Sequence, residues 1–459
     1  MGNLRLSPLF GDRAVFPRGI PISVFGESEA EGDVLFSLPD GEERRAHFVP
    51  EGGKFSVLLD GVDRYAEEGC LTVTSAGETC VARHISVGIV LLAAGQSNME
   101  FLLREADRPH PLYPSSRMRF YTEGASPDDT CQIHRKPASD FWYPADGETE
   151  LAFSAIGYFV AEILSSTLSV TVGVVSCNQG ASCIETWLSP EALRKTDFPE
   201  AELVESKRQF NLNHFLYYNK YLSVAAYPFS AVLWYQGESN TDFGRAEAYR
   251  AYLPALFAEW RANNPNHRLP FYLVELAPFD SVLAGWAPEP LGDWAPIREV
   301  LVQASLCEEG AFTVSLTEVE DVGEIHPKNK YPVAMKLARA ILATLHGYDL
   351  EYTGPVFSEA RVEKGALRIA FSHAEGLHLR DGAGNAADVV ADAFFEGTGG
   401  ARLPAARAKI EGREMILPIP EGAAAFLLGY GNVPRHNLYN GEGYLASPFR
   451  LPLDKIEGK

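Results

Sequence analysis

The sequence predicts an α/β fold, a doubly wound parallel sheet with a small β domain on either side of it in the chain. Between residues 85 and 348, short apolar runs alternate with helical patterns. Before and after this region, short alternating runs are separated by Gly, Pro and Asp, which is typical of antiparallel β structure. We therefore expect an N-terminal β-sandwich domain at 1–84, an α/β domain at 85–348 and a C-terminal β domain at 349–459.

Five apolar runs predict the strands of the central sheet. They are Val87–Leu92, Val170–Val175, Phe229–Tyr235, Phe271–Leu276 and Phe312–Leu316. Because helical patterns lie between these runs, the strands are expected to be parallel, with helices on both faces.

Four segments predict helices between or after these strands. Ser154–Leu168 begins with a capping serine, and Ser189-Pro190-Glu191 reads as an N-cap, an N1 proline and an acidic first turn. Phe243–Asn263 and Ala334–Leu345 complete the set. Residues 101–152 instead read as a long connection, a feature that is usually functional or mobile.

Charge and hydropathy narrow the possible partners. The 459-residue chain has a formal net charge of −21, which argues against nucleic acid or an anionic membrane as a partner. No apolar run reaches the length of a membrane span. The first residues have no apolar h-region, so we expect a cytoplasmic protein, or a periplasmic or secreted one if a leader has been removed. The oligomeric state stays open.

Ser97 is the first candidate for chemistry. The apolar run from Ile85 ends in small residues and Gly95, and Ser97 follows at the carboxyl end of a strand, where open α/β sheets bind ligands. The turn resembles the nucleophile turn of serine hydrolases, with Met99 in place of its second glycine. The alternative is a buried serine whose hydroxyl bonds its own turn.

Polar clusters follow four of the predicted strands. They are Gly95–Asn98, Asn178–Ser182, Gln236–Asn240 and Glu320–His326. Since the carboxyl ends of parallel strands lie at one edge of a sheet, we expect these clusters to converge on one crevice.

Such a crevice would hold the groups that acyl transfer needs. Ser97 is the expected nucleophile and His326 the base that takes its proton. The backbone N–H groups of Ser97 and Gly180, with the Gln236 side-chain amide, are the expected oxyanion hole. Gln236 would otherwise tie two loops together, and Gly180 would serve a tight turn.

The acid that orients His326 is predicted to be Glu324. Side chains two residues apart in an extended segment point to the same side, so Glu324 follows His326. Asp321 is the rival, because a turn at Gly323 would fold it back toward the ring. A backbone carbonyl is the third alternative.

These clusters resemble the blocks of the SGNH hydrolases, and most closely those of the sialate O-acetylesterase family. The matching segments are Gly95-Gln-Ser-Asn-Met99, Gly180-Ala-Ser with Ile184-Glu-Thr-Trp187, Trp234-Tyr-Gln-Gly-Glu-Ser-Asn240 and Ile325-His-Pro-Lys-Asn-Lys330. The resemblance implies a flavodoxin-like SGNH sheet, removal of acetyl esters from sugar hydroxyls, and no metal or organic cofactor. It extends over nearly the whole chain. Ala181 and Ser182 replace the usual Gly-Thr, and Gly323 stands where SGNH enzymes usually carry aspartate.

Two classes of function follow from this. The first is a carbohydrate O-acetylesterase, with O-acetyl sialic acid as the expected substrate and acetylated xylan or another polysaccharide as the alternative. The second is a non-catalytic sugar-binding protein that kept the fold. Within residues 101–152, Arg104, His134 and Trp142 are candidate substrate contacts or plain surface residues.

Overall fold

The computed structural model describes residues 3–123, 141–198, 208–241, 244–319, 321–397, 399–405 and 407–456. The strands up to the third predicted run are β1 Arg5–Leu6, β2 Val15–Pro17, β3 Ile22–Glu27, β4 Gly32–Ser37, β5 Glu43–Phe48, β6 Lys54–Leu59, β7 Ala66–Ser75, β8 Glu78–Gly95, β9 Ser115–Thr122, β10 Tyr143–Ala145, β11 Val172–Asn178 and β12 Ala231–Tyr235. The later strands are β13 Phe271–Val274, β14 Ala311–Val314, β15 Val356–Glu363, β16 Ala366–Ser372, β17 His378–Leu379, β18 Ala393–Gly397, β19 Arg402–Pro404, β20 Lys409–Glu411, β21 Glu414–Pro418, β22 Ala423–Leu428, β23 Leu438–Tyr439 and β24 Phe449–Pro452. The helices are α1 Ser97–Glu100, α2 Ala155–Leu168, α3 Pro190–Arg194, α4 Leu222–Val224, α5 Arg245–Asn263, α6 Trp294–Cys307 and α7 Tyr331–His346.

The chain forms two compact units that are not continuous in sequence. The first contains 1–239, 250–272 and 328–338, and the second contains 240–249, 273–327 and 339–459. The three-domain division expected from the sequence stays a prediction.

The main sheet of the first unit has the strand order β10-β9-β11-β8-β12. β8 pairs in parallel with β11 and with β12, and β11 pairs in parallel with β9. β10 is antiparallel to β9, so the sheet is mixed. All five predicted runs are strands, and the α/β class with additional small sheets is confirmed. The doubly wound SGNH arrangement remains a prediction.

Strand β8 links the N-terminal β structure to this sheet. Its first half pairs antiparallel with β7, and its second half lies between β11 and β12. From Ile85 to Gly95 every residue is buried, which explains the unbroken apolar run, because a central strand is covered on both faces.

Strand β9 corrects the expectation that residues 101–152 are only a connection. Its sequence, Ser-Ser-Arg-Met-Arg-Phe-Tyr-Thr, carries two arginines and so obscured the strand pattern. Arg119 is nevertheless buried, and its guanidinium donates to the carbonyls of Arg13 at 3.0 Å and His84 at 2.7 Å. A cation bonded to several carbonyls is tolerated in a buried strand.

The second unit contains the β structure of the C-terminal part of the chain. β15 and β16 form an antiparallel hairpin, and two four-stranded sheets have the orders β15-β16-β21-β20 and β19-β18-β22-β24. Their shared core includes Ile369, Met415 and Phe426. Among the helices of the residues that are described, none is long and apolar enough to cross a membrane.

Candidate active site

Ser97 lies directly beyond the carboxyl end of β8, as the first residue of α1, and is buried. The turn before it requires glycine. Gly95 has a φ of +131°, and a Cβ built on it would lie 2.2 Å from the carbonyl oxygen of Tyr235 on the neighbouring strand. The backbone of the serine turn is therefore fixed by close approach to β12, since a larger residue would force the two strands apart.

The Gln96 side chain joins this turn to the turn after β12. Its Oε1 accepts hydrogen bonds from the backbone N–H of Gly237 at 3.3 Å and of Ser239 at 3.2 Å, and from Gln236 Nε2 at 3.2 Å. One buried carbonyl thus holds three donors of the following loop. The residue preceding Ser97 acts as a structural clamp, which keeps the serine in one position.

A buried charge network that the sequence pattern does not indicate lies beside the same turn. Asn98 Nδ2 donates to Glu238 Oε1 at 2.6 Å, and Lys330 Nζ donates to Asn98 Oδ1. The Lys330 ammonium also lies 4.8 Å from the centre of the Phe101 ring. Burial raises the pKa of Glu238, while the hydrogen bond from Asn98 opposes that rise. Glu238 stands in the polar cluster Gln236–Asn240 and Lys330 in the matched segment Ile325–Lys330, but neither position indicates that the two charges meet at Asn98.

The second predicted oxyanion donor has a protein acceptor in this structure. Gly180 N–H donates to Glu100 Oε2 at 2.6 Å. Ser182, which keeps the hydroxyl of the usual threonine, accepts a hydrogen bond from Trp187 Nε1 at 3.0 Å. Ser182 therefore has a structural role, and the oxyanion role of Gly180 stays a prediction.

The Gln236 amide is also hydrogen-bonded within the protein. Its Nε2 donates to Ser182 O at 3.0 Å as well as to Gln96 Oε1. Gln236 therefore connects the loops that contain Gln96 and Ser182, as the alternative role predicted for it requires. Whether its amide also stabilises an oxyanion remains a prediction.

Ala181 adopts a left-handed conformation with φ +58°. Glycine would suit this position better than alanine, since a Cβ costs about 1–2 kcal/mol in that region. We expect Ala181→Gly to raise the free energy of unfolding by roughly 0.5–1 kcal/mol, because the relieved strain exceeds the added entropy of the unfolded chain. Urea unfolding followed by fluorescence measures the change.

A helical alanine provides the matched control for this variant. Ala192 lies within α3, where replacement by glycine should lower stability by about 1 kcal/mol. Equal destabilisation by Ala181→Gly and Ala192→Gly would show that the conformation of Ala181 carries no strain.

His326 and its predicted acid lie in the second unit. Glu324 Oε1 accepts a hydrogen bond from the His326 backbone N–H at 2.9 Å and lies 3.9 Å from His326 Nδ1. The last distance is longer than a hydrogen bond. Asp321 is exposed, and among the described residues no hydrogen bond or ion pair of its carboxylate is found. The choice between Glu324 and Asp321 as the acid partner of His326 stays a prediction.

The three candidate substrate contacts within residues 101–152 have different surroundings. Trp142 is buried and donates from Nε1 to Leu9 O at 2.9 Å, so it is a core residue. Arg104 is exposed. His134 lies outside the described residues. In the ranges that the structure covers, no group of three or more His, Cys, Asp or Glu is arranged to hold a metal ion. The expected lack of a cofactor stays a prediction.

Comparison with known proteins gives the family of the region around Ser97. Residues 87–287 match the family model described as carbohydrate esterase, sialic acid-specific acetylesterase. The match covers less than half of the 459-residue chain and shows that this region is similar to that esterase family. The sequence-based resemblance to the sialate O-acetylesterase family is thereby confirmed.

A solved structure resembles the chain over its length. The crystal structure of a carbohydrate acetylesterase from Xanthomonas citri matches with a TM-score of 0.82 and 28% identity, over 99% of this chain and 100% of that chain. The esterase family match and this neighbour agree on a carbohydrate esterase fold.

Curated relatives of the acetylesterase family are more distant. The sialate O-acetylesterase of Homo sapiens is 24% identical over 246 residues, which are 48% of this chain and 45% of that protein. The sialate O-acetylesterase of Mus musculus is 23% identical over 282 residues, 50% of each. The chain spans about half the length of the curated relatives it matches.

Proposed function

We propose that this protein is a carbohydrate O-acetylesterase that hydrolyses acetyl esters on sugar hydroxyls through an acetyl-enzyme on Ser97. O-acetyl sialic acid is the first substrate to test, since the family of residues 87–287 is described as sialic acid-specific. Acetylated xylan is the second.

The observation that supports this proposal most strongly is the clamped serine turn. Gly95 and Gln96 fix the backbone immediately before Ser97, and Ser97 opens the short helix that follows. A serine used only for packing needs no such fixation, whereas a nucleophile must be held in a near-attack geometry.

The proposed reaction has two steps. In the first, Ser97 Oγ attacks the acetyl carbonyl carbon while His326 takes the serine proton. The bond from that carbon to the sugar oxygen then breaks, and the imidazolium returns the proton to the departing hydroxyl. In the second, His326 takes a proton from a water that attacks the acetyl-serine carbonyl carbon; the bond from that carbon to Ser97 Oγ then breaks, the imidazolium returns the proton to Oγ, and acetate is released.

Glu324 would support both steps. Its carboxylate stabilises the imidazolium and keeps His326 in the tautomer that accepts at Nε2. The 3.9 Å separation from Nδ1 requires a small side-chain movement to become a hydrogen bond. Because Glu324 is partly exposed, this movement has room.

Gln236→Ala tests the proposed oxyanion donor. We expect kcat to fall by roughly 10²–10³ with little change in KM, because a donor that acts on the developing negative charge stabilises the transition state. Steady-state kinetics on p-nitrophenyl acetate measures both constants. A raised KM with unchanged kcat would instead assign Gln236 to binding the ground-state substrate.

A substrate panel tests the proposed function. The wild-type protein is assayed for acetate release from 9-O-acetyl-N-acetylneuraminic acid, acetylated xylan and p-nitrophenyl acetate. We expect release from at least one of the two sugar substrates. Release from p-nitrophenyl acetate alone would argue against a sugar ester, and binding of sugars without any release would favour the non-catalytic sugar-binding alternative.

A further inference from the structure

A loop of the second unit, residues 280–292, exposes an unusual amount of apolar surface. We call it the apolar loop. The exposed fractions are 42% for Val282, 68% for Leu283, 57% for Trp286 and 49% for Leu291. Single exposed apolar side chains are common, but several on one segment indicate a binding surface.

The apolar loop is held in a fixed shape. Asp280 Oδ1 accepts hydrogen bonds from the backbone N–H of Val282 and of Leu283, both at 3.0 Å. Buried Ser281 accepts from Leu291 N–H at 2.8 Å through its Oγ. The exposed side chains are therefore presented by an ordered backbone, so binding to them does not require the loop to be ordered first.

Trp286 is supported from below by an aromatic cluster. Its ring centre lies 5.0 Å from that of buried Phe279, at an interplanar angle of 61°, and Phe279 in turn contacts Trp294. The indole is thus fixed on one side and open on the other. A rigid, exposed indole is suited to stack against the apolar C–H face of a sugar ring at low entropic cost.

The apolar loop is attached to the segment that contains His326. Asp280 N–H donates to Val322 O at 2.7 Å, and a Cβ built on Gly323 would lie 3.5 Å from Leu283 Cγ. His326 is four residues after Val322, so their Cα atoms are at most about 14 Å apart. The loop therefore contacts the segment that leads to His326 within the same unit.

The charge of the apolar loop favours a neutral sugar over an anionic one. Its sequence, Asp-Ser-Val-Leu-Ala-Gly-Trp-Ala-Pro-Glu-Pro-Leu-Gly, contains two acids and no base. An anionic sugar would find no cationic partner on this loop and would be repelled by its carboxylates. A neutral pyranose has no such penalty.

We propose that the apolar loop binds a neutral pyranose of an acetylated oligosaccharide, with Trp286 stacked on a ring other than the one that bears the acetyl ester. This inference rests on the proposed esterase function. It assigns the substrate class, an acetylated neutral glycan of more than one ring, and makes Trp286 a residue that determines specificity.

Kinetics on two substrates of different size test the proposal. We expect Trp286→Ala to raise KM for acetylated xylotetraose by about tenfold, the effect of losing one good aromatic contact, with kcat unchanged. Constants for p-nitrophenyl acetate should change by less than about twofold, because that ester has no further sugar ring to place on the loop. Trp286→Phe should restore most of the affinity. Tyr348→Ala, which removes an exposed aromatic ring outside the loop, should change neither substrate.

Other outcomes overturn the proposal. An unchanged KM for the tetrasaccharide shows that Trp286 does not bind it, and equal losses on both substrates assign Trp286 a structural role. Weaker use of 9-O-acetyl-N-acetylneuraminic acid alone shows that the loop binds the anionic sugar. A shift in oligomeric state of Trp286→Ala, measured by light scattering, shows that the loop contacts a second copy of the chain.

A binding experiment separates this proposal from the proposed esterase function. Unacetylated xylotetraose is titrated calorimetrically into Ser97→Ala, with and without Trp286→Ala. We expect binding to Ser97→Ala and a loss of about tenfold in affinity in the double variant. This result stands even if no ester is hydrolysed, and equal affinities overturn the loop assignment whatever the activity.

Discussion

Ser97→Ala is expected to lower kcat for acetyl ester hydrolysis by roughly 10⁴–10⁶, the loss typical of a removed nucleophile. The fold should be unaffected, because the turn needs a small residue after Gln96 and alanine also suits the first position of α1. Steady-state kinetics on p-nitrophenyl acetate and the thermal unfolding midpoint measure the two effects.

A second buried serine is the matched control. Ser165 lies in α2, where its Oγ donates to the carbonyl of Glu162, so Ser165→Ala removes a buried hydroxyl without touching the serine turn. It should retain full activity. If Ser97→Ala lowers kcat by less than about tenfold, Ser97 is not the nucleophile.

Glu324→Gln is expected to lower kcat by about 10²–10⁴, because an amide cannot stabilise the imidazolium and favours the wrong tautomer of His326. The variant removes the negative charge of the Glu324 carboxylate but keeps the shape of the side chain. The glutamine carbonyl can still accept the His326 N–H that Glu324 accepts at 2.9 Å, so the local turn should be kept. Kinetics of the purified variant on p-nitrophenyl acetate measure the effect.

Asp321→Asn is the matched comparison for Glu324→Gln. It removes a neighbouring exposed carboxylate of the same segment and should cost no more than about tenfold in kcat. The opposite ranking would transfer the role to Asp321. If neither variant is impaired, Ser97 and His326 act as a dyad.

The features predictable from the sequence depend on residues close to each other in the chain. Ser154 caps α2 by accepting from Gly157 N–H, and Ser189 caps α3 by accepting from Ala192 N–H, both three residues away. The serine turn was likewise readable, since a buried apolar run and a glycine precede it. Local chemistry determines caps and turns, so local patterns reveal them.

The features that were not predicted depend on contacts distant in sequence. Asn98 bonds Glu238, 140 residues away, and Lys330, 232 residues away. Nothing in a local pattern indicates that two buried charges share one amide. Strand β9 was not predicted for a related reason. The carbonyls that accept from Arg119 belong to Arg13 and His84, which lie 106 and 35 residues earlier in the chain.

The oxyanion hole shows a different limit. Gly180 and Gln236 were predicted as oxyanion donors because each follows a predicted strand. In the structure they follow β11 and β12. The sequence did not reveal that Glu100 accepts the Gly180 N–H or that Gln96 and Ser182 accept from Gln236. Donor orientation depends on competing acceptors, which a sequence pattern does not specify.

Covalent labelling of the nucleophile tests the central claim most directly. The protein is treated with a fluorophosphonate, its intact mass is measured, and the adduct is located by peptide mapping. We expect one adduct per chain, on Ser97, formed in step with the loss of esterase activity and absent from Ser97→Ala. Full activity after complete labelling of Ser97, or complete inactivation with the adduct on another residue, would contradict the assignment of Ser97 as the nucleophile.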